Sequence, residues 1–496
     1  MTPEISDHVV AGLDIRPPAR IVAGGGNAFA IAGYCYHPTE PVRALEVEVA
    51  GSRQPVEHFG LPREDVFNTL SEDDPAARRA YRSGFVAMPS VGPRSAGGEI
   101  PLGLVLTLRG GRELAAPLGT VHIDSELEAP AEASQAAFSG DGPSVAICMA
   151  TYNPPPELLR RQLDSIREQT HGRWICLISD DGSESEALEN IRREIDGDER
   201  FALSPSPTRL GFYANFERAL SMAPPSADFV TLCDQDDRWH PDKLERLIEG
   251  IGDAQLVYSD ARVVEPSGDL IHSSYWTARR NNHTNFASLM LANSITGAAS
   301  LFRRQLLEDV LPFPPTLAMP FHDHWLAVVA MAKGDVNYLD RPLYDYVQHG
   351  EAVIGHSMAN KRPRRIRRQL IERLRNPGPG SRMVYYYDWF QQMLFAEVLR
   401  LRCWEAMSPS KRRVIRRLLN ADSGFVGLSW LLGRWTRKLW GHDETLDREL
   451  FYGYALLRRR AVSLWTFGRS RPGRLFPRDA SVPPVYASGP QRDEVQ

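Results

Sequence analysis

Between Ser144 and Tyr258, short apolar runs alternate with stretches whose apolar residues recur every three or four positions. Val145 to Met149, Trp174 to Ile178, Phe229 to Cys233 and Leu256 to Tyr258 are runs of the buried-strand type. Pro154-Pro155-Pro156 opens a segment with Leu159, Leu163 and Ile166 at i, i+4 and i+7, the period of a helix. Strands alternating with helices predict βαβ units and a mainly parallel sheet. Residues 1–128 follow another rhythm. Their β-type runs, such as Ala44 to Val49 and Leu104 to Leu108, are separated by turns such as Gly24-Gly25-Gly26 and Gly110-Gly111, which predicts an all-β sandwich. Residues 129–143 are poor in apolar side chains except Phe138 and read as a linker. The α/β domain then spans 144–360. Residues 361–476 read as helical and basic, with aromatic clusters at Tyr385-Tyr386-Tyr387 and Trp389-Phe390. The Pro- and Gly-rich tail, 477–496, reads as disordered.

Composition adds little until charge is mapped along the chain. The 496 residues are 43% hydrophobic and 24% charged with a net charge of −4, ordinary for a globular protein. That balance conceals an asymmetry. Residues 361–496 carry 28 Lys and Arg against 12 Asp and Glu, whereas residues 1–360 carry 30 against 50. A basic end of this kind suggests an anionic partner. Nucleic acid is one such anion and a membrane surface another, beside the plainer reading of a solvated helical face packed on the α/β domain; nothing resembling a nucleic-acid recognition fold accompanies the charge. The five cysteines (Cys35, Cys148, Cys176, Cys233, Cys403) show no paired spacing and read as buried thiols. No apolar run approaches the ~18 residues of a membrane span, and Met1 to Val10 lacks the basic and apolar regions of a signal peptide. The expectation is a cytoplasmic protein, peripheral on the membrane at most.

The chemistry concentrates at Asp234-Gln235-Asp236-Asp237, directly after the apolar run Phe229 to Cys233. Carboxylates at the C-terminal end of a strand lie where open α/β sheets bind ligands. Clustered like charges raise one another's pKa unless a cation neutralises them, and hard oxygen ligands suit Mg²⁺ or Mn²⁺ carrying a diphosphate. The alternative is an acidic turn capping the next helix.

The flanking motifs carry a resemblance. Met149-Ala150-Thr151-Tyr152-Asn153, Gln162 to Ile166, Gln169-Thr170 and Ile178-Ser179-Asp180-Asp181-Gly182-Ser183 resemble the nucleotide-sugar half of family-2 glycosyltransferases of the GT-A fold. Leu232 to Trp239 resembles that family's DxD element. Asn293 to Gly297, His322-Asp323-His324-Trp325 and Tyr346 to Gly350 resemble a bacterial rhamnosyltransferase-like branch. The likeness runs in order from Ser144 to about Gly355. It departs from the branch at Val347, where an Arg is usual, and at Ala352, where an Asn is usual.

The resemblance implies roles residue by residue. Thr151, Tyr152 and Asn153 would grip the nucleobase beside their turn-forming role. Asp180 or, more strongly, Asp181 would accept a hydrogen bond from base or ribose, against a plain Asp-Gly turn. Asp236 would coordinate the metal directly, and Asp234 would contact ribose or metal-bound water. Gly297 would let the donor sugar approach the backbone. Asp323 would be the general base, its pKa raised by burial beside Trp325, and His349 would complete the metal shell. Arg209 reads as a solvated side chain or a phosphate contact, and Gly211 and Asn215 as parts of a turn near the nucleotide. The implied activity is inverting transfer of a sugar from a nucleoside-diphosphate donor to a hydroxyl of a glycan or lipid-linked acceptor. Competing readings are a non-catalytic glycan-binding scaffold with a decayed transferase domain, and a nucleotidyltransferase. The latter usually carries a basic Gly-rich loop near its first strand, and Met149 to Pro156 has neither Lys nor Arg.

Overall fold

The computed structural model describes residues 9–56, 58–70, 74–93, 97–132, 136–277, 279–317, 321–348, 384–422 and 424–465. The expectations placed on His349, Ala352, the basic cluster Arg362 to Arg368 and the tail 477–496 lie outside these residues.

The N-terminal β-rich region is built from two facing sheets. One orders Val10–Ile15, Ile31–Tyr36, Gly84–Ala87 and His58–Leu61; the other orders Arg20–Val22, Glu113–Asp124, Gly98–Leu108, Val42–Val49 and Ser52–Pro55. Alternation sets the packing. Along Val42–Val49, Leu45, Val47 and Val49 are buried while Ala44, Glu46 and Glu48 are not. They meet Phe29, Ile31, Cys35 and Phe85 in one apolar core.

The central sheet orders Phe201–Pro205, Trp174–Asp180, Val145–Thr151, Phe229–Cys233, Ser300–Arg303, Leu256–Val264, Val336–Val347 and Arg238–Trp239. The first four strands are parallel, Ser300–Arg303 runs against both neighbours, and Leu256–Val264 is parallel to Val336–Val347. The chain first builds outward from Val145–Thr151, then returns to place Phe229–Cys233 on its other side. Thr151 and Cys233 therefore end side by side at a topological switch point, where a crevice opens beyond the strand ends. Near-continuous burial of these strands reflects helices such as Pro156–Arg167 and Phe212–Ser221 flanking the sheet. This is an α/β fold with a mixed sheet flanked by helices, followed by a C-terminal helical region.

The C-terminal helices are structural partners of the other regions. Phe390–Arg402 is buried along most of its length, with Phe395 5.1 Å from Trp325 and Phe390 5.5 Å from His58, ring centre to ring centre. Arg402 donates to the carbonyls of Gly26 (2.7 Å), Asp309 (2.9 Å) and Pro312 (2.7 Å), tying three parts of the chain together. Many basic residues of this region are consumed internally: Arg434 and Arg437 pair with Glu449 and Glu444, Lys438 with Asp447, and Arg459 with Asp422. Within the stretch read as a linker, Glu132 and Ala137 reach the sheet edge: Ser204 Oγ donates to Glu132 and Ala137 N to the Glu199 carbonyl. All five cysteines are buried free thiols, and no helix among the described residues is long and apolar enough to cross a membrane.

Candidate active site at the strand ends

Thr151 closes the first strand with its hydroxyl donating to Asp180 at the end of the second, 3.0 Å away. Asp180 is fully buried, and its carboxylate also accepts Ser183 N (2.9 Å) and Ser183 Oγ (2.5 Å). It shapes the Asp-Gly turn, where Gly182 adopts φ +72. Asp181 accepts the backbone N–H groups of Leu210 and Gly211, the latter at 2.9 Å. Each of its oxygens keeps a second lone pair, and burial raises its pKa despite those bonds. Asn153, at φ +39, accepts Glu184 N at 2.8 Å, while its own N–H donates to Ser183 Oγ at 2.8 Å. Buried Asn215 donates to the Thr151 and Ser179 carbonyls, which clamps the two strand ends together. Arg209 stacks its guanidinium 4.0 Å over the Tyr152 ring, leaving an exposed cation beside an aromatic face.

Across the switch point lies the acidic loop. Gln235 bridges the two halves: its Oε1 accepts Tyr152 N at 2.8 Å and its Nε2 donates to the Tyr152 carbonyl at 3.2 Å. That two-point contact aligns the base-side loop with the carboxylates, a role that no motif assigned to Gln235. Asp234 is pushed up to about 7 by burial, by Asp236 and by Asp323. The influence of Asp323 means that residues 89 positions apart share one pocket. Asp237 is raised well above the ordinary carboxylate range by burial and by its two neighbours; its Oδ1 accepts Val347 N at 3.2 Å, and its Oδ2 is buried without a partner among the described residues.

Asp323 sits in the first turn of His322–Lys333. Its Oδ2 accepts Gly297 N at 3.4 Å, its Oδ1 is buried without a partner among the described residues, and burial lifts its pKa to about 7. The flanking histidines do not compete for protons. His322 stacks on Phe216 with ring centres 3.7 Å apart, and His324 meets the Leu289 carbonyl through Nε2 at 2.7 Å. Burial depresses them to about 3 and about 4. Space at Gly297 is tight: a Cβ there would lie 3.0 Å from His322 Nε2 and 3.3 Å from Asp323 Cβ, so these side chains would have to give by a few tenths of an ångström. The structure therefore brings Thr151, Asp180, Asp181, Asp234, Gly297 and Asp323 to one end of the sheet.

The donor set is all oxygen, and its carboxyls are raised first by burial and, for Asp234 and Asp237, then by one another. That chemistry fits Mg²⁺ or Mn²⁺. Among the described residues, no three His, Cys, Asp or Glu side chains already converge as a closed metal cage. An open set fits an ion that takes other ligands from a diphosphate. One cation was missed in the sequence. Lys243 opens the helix Lys243–Ile251, is fully buried, and donates to the Ala298 carbonyl at 2.6 Å. It shares a buried stripe with Leu244, Leu247 and Ile251, so its helical position pointed inward although its residue type pointed to solvent.

Residues 146–311 match the model of Glycosyl transferase family 2. Protein CgeD of Bacillus subtilis is 30% identical over 131 residues, covering 25% of this chain and 30% of that protein. An uncharacterized glycosyltransferase of Methanocaldococcus jannaschii is 27% identical over 135 residues, covering 26% of this chain and 46% of that one. The chain thus spans less than half the length of these relatives. Among solved structures, S. aureus TarS 1-349 in complex with UDP shares 14% identity over 64% of this chain and 91% of its own, with a TM-score of 0.37. The mannosyltransferase PcManGT of Pyrobaculum calidifontis, in complex with GDP-Man and Mn²⁺, shares 18% identity over 66% and 90%, with a TM-score of 0.32.

Proposed function

We propose that the glycosyl transferase family 2 domain at the centre of this chain moves a hexosyl group, with rhamnose as one candidate, from a nucleoside-diphosphate donor to a hydroxyl of a glycan or lipid-linked acceptor, with inversion. The observation that carries this reading is the meeting of Asp234, Gly297 and Asp323 at the switch point. A base, an acidic strand end and a side-chain-free approach share one crevice there. The loops at Thr151, Tyr152, Asn153, Asp180 and Asp181 receive the nucleoside. Asp236, with Asp234, would hold the divalent cation, which when bound supplies positive charge to the departing diphosphate. His349 remains a proposed further ligand.

Asp323 takes the proton of the acceptor hydroxyl at Oδ1. The oxygen attacks the anomeric carbon from the face opposite the diphosphate, and the bond from that carbon to the phosphate oxygen breaks, its electron pair leaving with the nucleoside diphosphate. General-base help of this kind contributes about 10²–10⁴-fold. A pKa near 7 suits the task, because the carboxylate is strong enough to accept the proton and ionised in a useful fraction at neutral pH. The test is nucleoside-diphosphate release from a panel of nucleotide sugars with candidate acceptors, followed by NMR assignment of the product anomer. A retained anomeric configuration, or no turnover by folded protein across the panel, would overturn the reading.

The acceptor side is proposed to face an anionic membrane from the cytoplasm. Phe425, Val426, Leu439 and Trp440 are all more than 70% exposed on the segment 425–440, and Arg413, Arg416 and Arg417 are exposed on the neighbouring helix. Flotation with liposomes of varied anionic lipid content tests this, and binding indifferent to anionic lipid and salt would count against it.

A further inference from the structure

Two adjacent aromatic side chains, Tyr275 and Trp276, stand half-buried on the connection that follows the strand Leu270–His272. Their backbone is pinned. Tyr275 N donates at 3.0 Å to Oδ1 of Asp260, a buried carboxylate on the strand Leu256–Val264, and Trp276 N donates to Ser274 Oγ at 3.1 Å. The two rings meet edge to face, 5.4 Å apart between centres. Each is tied by contact to one of the carboxylate sites. Tyr275 lies 5.9 Å from Tyr346, ring centre to ring centre, and the N–H of the next residue, Val347, donates to Asp237 Oδ1 at 3.2 Å. Trp276 carries the Arg279 guanidinium 5.2 Å from its ring centre, and that guanidinium donates to the Asn293 carbonyl at 2.6 Å. Asn293 in turn folds the stretch leading to Gly297 by bonding Ile295 N (2.9 Å) and the Ile295 carbonyl (2.8 Å), and Gly297 N donates to Asp323 at 3.4 Å. The aromatic pair thus borders the crevice from the acidic loop to Asp323.

Polar capacity beside these rings is unfilled. Arg279 Nε and Ser294 Oγ are buried without partners among the described residues, as is Asp323 Oδ1. An aromatic face next to unpaired polar groups matches one class of ligand. A pyranose offers a C–H face that stacks on a ring and a rim of hydroxyls that answers donors and acceptors, whereas an acyl chain would leave those groups unpaired at a cost. We propose that Tyr275 and Trp276 form the acceptor platform: the group that receives the transferred sugar is itself a pyranose, its ring on Trp276 and one hydroxyl directed to Asp323. The proposal rests on the reading of Asp323 as the base, and it narrows the acceptor to a saccharide hydroxyl. Arg279 is a positioning residue for the platform, because it holds Trp276 and the Asn293 carbonyl at once.

Saturation-transfer NMR reads this contact without turnover. The probes are octyl glucoside, galactoside, mannoside and rhamnoside below their micelle concentrations, with octanol as the ring-free control. Wild-type protein should saturate the ring C–H protons of at least one pyranoside. Trp276→Ala should lose that signal while nucleoside-diphosphate affinity stays within a few fold. In transfer to the same pyranoside, Trp276→Ala should raise the acceptor KM about 10-fold and leave kcat near wild type, since stacking acts alike on ground state and transition state. Trp276→Phe should restore the KM, and Trp276→Leu, which refills the space without an aromatic face, should not. A packing role predicts that leucine serves as well as phenylalanine. Should Trp276→Ala not fold, the Phe and Leu variants carry the comparison. Ring saturation that is absent in the wild type, unchanged in folded Trp276→Ala, or replaced by saturation of the octyl chain alone overturns the proposal, as does Leu matching Phe. Asp323→Asn runs alongside. Transfer lost there while Trp276→Ala behaves as wild type rejects only the platform. Trp276-dependent ring saturation with transfer undiminished in Asp323→Asn rejects the base and leaves the platform standing.

Discussion

The two sides of the crevice are finished to different degrees. On the nucleoside side the buried polar side chains have internal work: Asp180 holds Ser183, Asp181 holds Leu210 and Gly211, and Asn215 holds two strand ends. On the acidic side, Asp237 Oδ2 and Asp323 Oδ1 are buried without partners among the described residues, and Asp234 is pushed up to about 7. One side is a preformed mould, the other a group of buried carboxyls that hold their protons more tightly than usual and whose hydrogen-bonding capacity is unfilled. The difference teaches where a ligand would matter: it has little to rearrange at the base loops and much to neutralise at the strand end. Burying charge that only the reacting complex compensates costs stability in the free protein and places electrostatic help at the bond being broken.

The largest expected effect tests the unfinished side. Asp323→Asn should lower transfer by about 10²–10⁴-fold while nucleotide affinity by calorimetry stays within a few fold, because the amide keeps the shape but cannot take the proton. Asp236→Ala should cost at least ~10²-fold in turnover, with excess chelator reproducing the loss in the wild-type protein. Full activity in either case would show that the acidic side is ordinary surface.

The finished side should respond through stability first. Asp181→Ala leaves the N–H groups of Leu210 and Gly211 without their acceptor, so urea denaturation should show a loss of about 1–3 kcal/mol, accompanied by weaker nucleotide binding. An unchanged midpoint would mean that the mould does not depend on this carboxylate.

A smaller, graded effect comes from pH. Asp234 and Asp323 hold their protons more tightly when folded than the ordinary carboxylate value allows, so their contribution to stability is complete below about pH 4 and is lost as pH rises toward 7. Buried Glu217, also lifted to about 7, adds in the same direction. His322 and His324, depressed to about 3 and about 4, act oppositely up to about pH 6.5, and Lys243, lowered to about 7, does so only above that value, so the three carboxyls outweigh the two imidazoles between pH 5 and pH 7. In chelator, the melting temperature should therefore fall between pH 5 and pH 7, and Mn²⁺ should restore part of it at pH 7. A melting temperature flat across this range, with no response to Mn²⁺, would erase the contrast between the two sides.

Much of this was legible in the sequence because it is local. Alternating polarity marked the sandwich strands, continuous apolar runs marked the parallel strands, and a carboxylate run directly after a strand fixed its own place at the strand end by covalent continuity. Asp323 was legible by resemblance to a motif, since an Asp at a helix start is by itself a common cap. Lys243, Gln235 and the fate of the basic C-terminal residues were not legible. Each depends on a neighbour distant in sequence: Ala298 for Lys243, Tyr152 for Gln235, Glu444, Asp447 and Glu449 for the arginines and lysine read as a surface charge. Composition reports how much charge a segment carries, whereas burial and pairing decide whether that charge meets solvent. The sequence by itself determined the strands, the helices and the acidic end of one strand, because those follow from periodicity and chain connectivity. Tertiary structure alone decided which carboxylates share a crevice and which basic side chains are buried, because Coulomb interaction follows distance in space and the dielectric of the surroundings rather than order along the chain.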